Sequence, residues 1–304
     1  MSRELKTVLI ALAGAIVLLC GCVSVASLGS GLDFSLSRKV GVVRIEGEIT
    51  SGAGMSIGTP VVVDRRIIAD LRRAEENRSV GAILLYMNTP GGDVVASDQV
   101  YRALREVKKP VVVYMGGVAA SGGYYIACGA DEIMAHPATI TGSIGVITYV
   151  PNLSELFEKV GIELQVVKSG AEKDMGNPGR PLTVEEERIW QAIIDDAYED
   201  FVDVVASERG LPRERVLELA DGRVYSGKQA YRLELVDELG TFEDAVLRAG
   251  ELAGIKGRPE TVEITVRPSL LQALLSSTLH RGAVSALNDL TNVRERGLYY
   301  LLTP

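Results

Sequence analysis

Gly116-Gly117-Val118-Ala119-Ala120-Ser121-Gly122-Gly123-Tyr124-Tyr125 decides how this chain folds, because it sets a serine among small residues directly after an apolar run. That run, Pro110-Val111-Val112-Val113-Tyr114, reads as a buried parallel strand, and residues 121–128 read as the opening of a helix. Ser121 therefore stands on a tight strand-to-helix corner. Glycines at 122 and 123 let another backbone approach closely, and the first amides of the helix point outward as donors for a developing oxyanion. A lone Ser-Gly-Gly is equally a packed turn with a capping serine, so its meaning depends on what accompanies it.

Working outward, residues 40–45 cluster like a first strand, 64–75 have helical periodicity, and 80–87 form the next buried strand. That strand runs into the loop Asn88-Thr89-Pro90-Gly91-Gly92-Asp93 and a helix over 94–108. Short strands are expected at 132–135 and 145–149. Beyond residue 152 come a helix to 160, a strand at 164–168, a long charged loop over 169–180, and a helix from the N-cap Thr183 to about 207. Residues 212–220, 226–232 and 241–252 read as shorter helices, and 269–290 as an apolar-faced helix that packs on the parent domain or a neighbouring subunit. Strands alternating with helices indicate an α/β fold built from right-handed crossover units.

With 304 residues and 47% hydrophobic content, the chain can bury one substantial core. A net charge of −8 and an isoelectric point near 5.1, with no basic stripe, argue against nucleic acid as a partner. Three cysteines, Cys20, Cys22 and Cys128, make neither a disulfide framework nor a paired-cysteine metal site. No residue between 7 and 32 is charged, and 8–25 is almost wholly apolar, long enough to cross a hydrocarbon core of about 30 Å. Arg3 and Lys6 precede this stretch, which places the N-terminus in the cytoplasm and the rest outside. Residues 1–30 are thus expected to be an uncleaved single-span anchor. Ser24-Val25-Ala26 also suits signal-peptidase cleavage, and Leu19-Cys20-Gly21-Cys22 approximates a lipoprotein box. All three readings export the remainder of the chain.

A serine hydroxyl is a poor nucleophile until a base takes its proton. The chain has two histidines. His280 lies in the tail, and His136, in Ala135-His136-Pro137, reads as a turn residue before proline rather than a triad base. Lys173, in Ser169-Gly170-Ala171-Glu172-Lys173-Asp174, is the better candidate. To accept a proton it must be neutral, which means lowering its pKa by burial or by nearby cations, at about 1.4 kcal/mol per unit. Glu172 and Asp174 oppose that shift if they point at the amine, so they should face away. The amide of Gly91 or of Gly92, at the C-terminal end of a parallel strand, could join that of Gly122 in a two-donor oxyanion hole.

These stretches, with Thr141-Gly142-Ser143-Ile144-Gly145-Val146, Gly222-Arg223-Val224-Tyr225-Ser226-Gly227 and Leu235-Val236-Asp237-Glu238-Leu239-Gly240, resemble the signal peptide peptidase A group of membrane-anchored serine proteases. The likeness covers residues 40–252. It implies a ClpP/crotonase-like fold behind an N-terminal transmembrane helix, with a peptidase domain over 38–255 and a C-terminal strand and helix over 256–304. It implies Ser121 as nucleophile, Lys173 as general base and Ser143 as the hydroxyl that orients the amine, with no cofactor and no metal. Its substrates would be remnant signal peptides and other hydrophobic peptides, with the loop at 144–150 lining an apolar pocket. Similar half-length proteins form homo-oligomeric rings in which the serine of one subunit faces the lysine of the next. The cysteine pair at 20 and 22 departs from the family pattern. Two rivals share parts of this reading: a crotonase-type acyl-CoA enzyme, and a catalytically silent oligomeric scaffold.

Overall fold

The computed structural model describes residues 38–52, 61–265 and 299–301, the last three as backbone. The apolar runs become strands because their β-branched residues pack on both faces of a sheet. β1 (Lys39–Glu46) is followed by β2 (Glu48–Thr50), β3 (Val61–Val63) and helix α1 (Asp64–Glu76). Then come β4 (Val80–Thr89), β5 (Gly91–Asp93), α2 (Val94–Arg105), β6 (Val111–Ala120) and α3 (Gly122–Ala127). β7 (Glu132–Ala135) and β8 (Ile140–Gly142) precede α4 (Ser154–Lys159) and a 3-10 turn (Ala171–Asp174). The long α5 (Val184–Arg209) leads to α6 (Arg213–Leu219), β9 (Val224–Ser226), α7 (Gly227–Arg232), β10 (Glu238–Leu239), α8 (Phe242–Leu252) and β11 (Thr261–Glu263). β12 (Tyr299–Leu301) is the last described element.

The main sheet runs β10-β7-β6-β4-β1-β11 with every pair parallel, and β8 lies beside the far end of β6 with β9 antiparallel to it. A smaller sheet runs β12-β5-β2-β3. Alternate residues of the central strands enter two apolar layers. Val43, Ile45, Ile83, Leu85, Val113 and Met115 face one layer, which Phe201 and Val205 of α5 share. Val40, Val42, Leu84, Val112 and Tyr114 face the other, which α8 closes with Ala245, Val246 and Ala249. Each such side chain contributes roughly 1.5–3 kcal/mol on burial, so the sheet is a rigid base for whatever its strand ends carry.

One irregularity in this sheet positions the site. Met87 pairs with Met115, yet Thr89 pairs with Ala119, so β6 uses four steps where β4 uses two. The surplus residues include Gly116 and Gly117. Asn88 Oδ1 accepts from Val118 N at 3.2 Å, and Thr139 Oγ1 donates to the carbonyls of Met115 and Gly116 at 2.9 and 2.6 Å. This bulge bends β6 away from β7, which it pairs with up to Met115, and onto β8, which it pairs with from Val118.

The expected alternation holds, and three details differ. The second helix ends at Arg105 rather than 108. Residues 145–149 contain a single bridge residue, Ile147, instead of a strand. Residues 164–168 form no strand and pair with no strand among the described residues; all five are exposed. Among the described residues no helix is long and apolar enough to cross a membrane. The expected anchor at 1–30, His280 and the tail helix at 269–290 lie outside the described residues.

The downstream Leu235-Val236-Asp237-Glu238-Leu239-Gly240 stretch has a structural job. Asp237 accepts two bonds from Arg209, at 2.5 and 3.0 Å, and one from Ile133 N at 2.7 Å, tying α5 to β7. Arg209 is only 10% exposed, so removing its partner strands a nearly buried charge. Asp237→Ala should lower unfolding free energy by about 2–3 kcal/mol, read by urea denaturation; an unchanged midpoint would show the pair to be dispensable.

Candidate active site

Ser121 ends β6 with φ 54° and ψ −118°, a left-handed backbone that an L-residue adopts only where its surroundings enforce it. Here they do. Its amide donates to Gly142 O at 2.7 Å, and its carbonyl accepts from Tyr125 N at 2.9 Å as the first bond of α3. The chain turns sharply between those two bonds. The residue is 1% exposed, and its Oγ has no hydrogen-bond partner among the described residues. A buried hydroxyl left unpartnered on a strained strand-to-helix corner is the arrangement expected of a nucleophile.

Donors surround the corner. At the start of α3 the amide of Gly122 lacks an intrahelical acceptor. Gly91, with φ 100°, gives its amide to Thr89 Oγ1 at 3.1 Å. Gly92 must be glycine, since any Cβ there would run into the backbone of Ile49, its partner in β2. The other edge of β5 carries β12, antiparallel, with Tyr300 opposite Gly92.

Ser143 is brought to the same place. Ala120 pairs with Gly142 across β6 and β8, so the two serines follow on neighbouring strands about 5 Å apart. Ser143 also has a positive φ, 51°, is buried, and donates its amide to Arg223 O at 2.8 Å. That bond gives the Gly222-Arg223-Val224-Tyr225-Ser226-Gly227 stretch a role in shaping the corner.

Lys173 is not brought to them within one chain. It sits in the 3-10 turn with an exposed side chain that makes no hydrogen bond or ion pair among the described residues. The turn belongs to an exposed segment in which Leu156, Val160, Ile162, Leu164 and Val166 are each about half exposed and Val167 is fully so. Asp174 does face away from it, bonded to Lys168 and Arg180. His136 is no substitute base: its amide bonds to Met115 O, on the far side of the bulge from Ser121, and its Nδ1 accepts from Ala138 N. Cys128, just past α3, is equally excluded, because complete burial pushes its thiol up to about 12 and keeps it protonated. Among the described residues no cluster of acids, histidines or cysteines could hold a metal.

Comparison with known proteins gives the family. The family model of peptidase family S49 matches residues 103–256, and that of Clp protease matches 43–140. The chain belongs to peptidase family S49. It is 43% identical to a putative protease of Synechocystis over 76% of this chain and 79% of the relative, and 39% identical to one of Methanocaldococcus jannaschii over 85% and 83%. It is also 41% identical to a putative signal peptide peptidase SppA of Enterococcus faecium over 60% of this chain and 54% of that protein. The sheet and its helices are thus a Clp protease-like α/β domain, and the chain is a serine peptidase of family S49 rather than an acyl-CoA enzyme.

Several residues that build this S49 site had no evident role in the sequence. Asn88 secures the β6 bulge, and Thr141 Oγ1 donates to Ala119 O at 2.7 Å beneath the serine. A polar residue closing an otherwise apolar strand was the available signal. Thr89 has two roles: its hydroxyl accepts from Gly91, and its methyl packs so that a Cβ on Gly123 would lie 2.7 Å from it. Gly123→Ala should therefore cost about 1–3 kcal/mol of stability and reduce peptidase activity with it. Adding Thr89→Ser, which removes the methyl and keeps the hydroxyl, should restore most of both. Failure of the second change to rescue the first would mean that this contact does not set the spacing.

Proposed function

We propose that this S49 peptidase is a membrane-anchored endopeptidase using a Ser121–Lys173 dyad completed between subunits of a homo-oligomeric ring. The observation that carries the reading is the unpartnered Ser121 Oγ on its strained corner beside the Gly122 amide. In this mechanism the neutral Lys173 Nζ takes the hydroxyl proton as Oγ attacks the peptide carbonyl. The amide of Gly122, with that of Gly91 or Gly92, receives the oxyanion, where loss of one donor typically costs about 2.7–4 kcal/mol. The ammonium then gives its proton to the departing amine, and water releases the acyl group by the same route. Ser143, buried one strand from Ser121, orients the amine.

The second subunit answers a physical need. An amine that works as a base must be withdrawn from water, and lowering its pKa by two to three units stores roughly 3–4 kcal/mol. In one chain Lys173 is exposed, on a segment rich in exposed apolar residues that another copy of the chain could bury. Substrates would be hydrophobic peptides, including signal-peptide remnants, taken up as extended strands. The pairing of β12 with β5 supports that mode by analogy, since this edge takes an antiparallel strand of the chain itself. The apolar stretch at 8–25 would hold the N-terminus in the membrane with the peptidase domain outside the cytoplasm.

Ser121→Ala and Lys173→Met should each abolish cleavage of apolar peptides while leaving the fold intact. Mixing the two inactive proteins under exchange should restore activity, because some interfaces then combine an intact serine with an intact lysine; no recovery would place both groups in one subunit or remove one from the chemistry. Activity of the parent should rise toward alkaline pH as the amine loses its proton, and a flat profile would count against a titrating base. Full-length protein should stay with membranes through alkaline extraction; release with an N-terminus at Ser27 would replace the anchor by a cleaved signal.

A further inference from the structure

The charged loop around Lys173 is organised by ion pairs that leave the lysine itself out. Arg180 holds Glu186 through a fork, Nη1 to Oε2 at 2.7 Å and Nη2 to Oε1 at 2.6 Å. Its Nη2 and Nε also reach both oxygens of Asp174, at 3.0 and 3.4 Å. Lys168 Nζ donates to Asp174 Oδ1 at 2.6 Å and to Ala171 O at 2.7 Å, and Asn177 Nδ2 donates to Asp174 Oδ2 at 3.5 Å. Glu186 is itself immobile: 1% exposed, it accepts from Thr183 N at 2.8 Å as half of the capping box of α5.

The arrangement is selective. Lys173 adjoins Asp174 in the same turn, yet the carboxylate is taken by two more distant cations and an amide. We propose that Arg180, anchored on Glu186 and assisted by Lys168, is a positioning residue that keeps the Asp174 carboxylate away from the Lys173 amine. This rests on the Ser121–Lys173 reading. A carboxylate pairing with an amine favours its charged form and raises its pKa by about 1–3 units, the opposite of what a lysine base requires. Arg180 outcompetes Lys173 for Asp174 because its planar fork spans two carboxylates at once, whereas an ammonium is a single point of charge. The consequence is visible on the acid: its pairing with Lys168 and Arg180 holds Asp174 far below the usual carboxylate range. Glu172, the other acid in the turn, is exposed, and solvent and salt weaken its field.

The experiment is the pH dependence of kcat/KM for an apolar peptide, measured on the detergent-solubilised full chain. Arg180→Met should move the alkaline rise upward by about one pH unit, because the freed Asp174 turns to Lys173. Adding Asp174→Asn to that variant should return the midpoint to its parental position, since nothing is left to pair. Lys168→Met, which leaves Arg180 and the capping box in place, should give a smaller shift of the same sign and serves where Arg180→Met does not fold. Arg180→Lys should lie between Met and parent. A merely structural role for Arg180 predicts lower activity at every pH with an unmoved midpoint, and that result overturns the proposal. Lys173→Met is run alongside: if it is inactive while the Arg180 and Lys168 midpoints stay fixed, only the positioning role falls, whereas full turnover by Lys173→Met removes the dyad and this proposal together.

Discussion

The bulge in β6 governs the active corner. Between Met115 and Ala119 the strand carries two more residues than β4 does between Met87 and Thr89. The surplus swings the strand end from β7 to β8, so that Ser121 meets Gly142 and is locked there by a 2.7 Å bond. Without that swing the serine would simply continue a regular ladder. The bulge is held from both sides, by the exposed Asn88 for the amide of Val118 and by the buried Thr139 for the carbonyls of Met115 and Gly116. A buried carbonyl left open costs roughly 1–3 kcal/mol, which is why the Thr139 hydroxyl is embedded beneath the strand here.

Strain at Ser121 contrasts with openness at Lys173. The serine corner is rigid, nearly solvent-free and surrounded by small residues that permit close approach. The lysine turn is solvated and fastened chiefly to itself and to the start of α5 through Arg180 and Glu186. A nucleophile benefits from a backbone that cannot relax, because its hydroxyl then keeps one orientation through the reaction. The turn is ordered as well, by ion pairs and a capping box in place of apolar packing.

The main sheet was legible because its strands are long apolar runs separated by turn residues, and parallel pairing leaves little alternative for runs buried on both faces. The serine corner was legible through its small-residue setting, and the glycines at 92 and 123 prove to be positions where a Cβ would strike Ile49 or Thr89. The bulge was not legible, since Gly116-Gly117 reads as well as a mere weakening of the strand, and only the register against β4 reveals two surplus residues. The segment over 164–168 looks like a strand by composition, but pairing depends on a neighbour that composition does not contain. The ion pairs of Asp174 with Lys168 and Arg180 were not legible either, since an alternation of charges in a loop does not say which acid meets which cation.

Glycines in the two regions differ in a way that bears on how such an enzyme can change over generations. At Gly92 and Gly123 no larger residue fits without displacing a wall of the corner, whereas at Gly170 a Cβ would meet empty space. Mutational drift is therefore blocked beside the serine corner and permitted in the exposed turn that carries Lys173. A lineage could retune which chains it destroys while its cutting chemistry stays frozen.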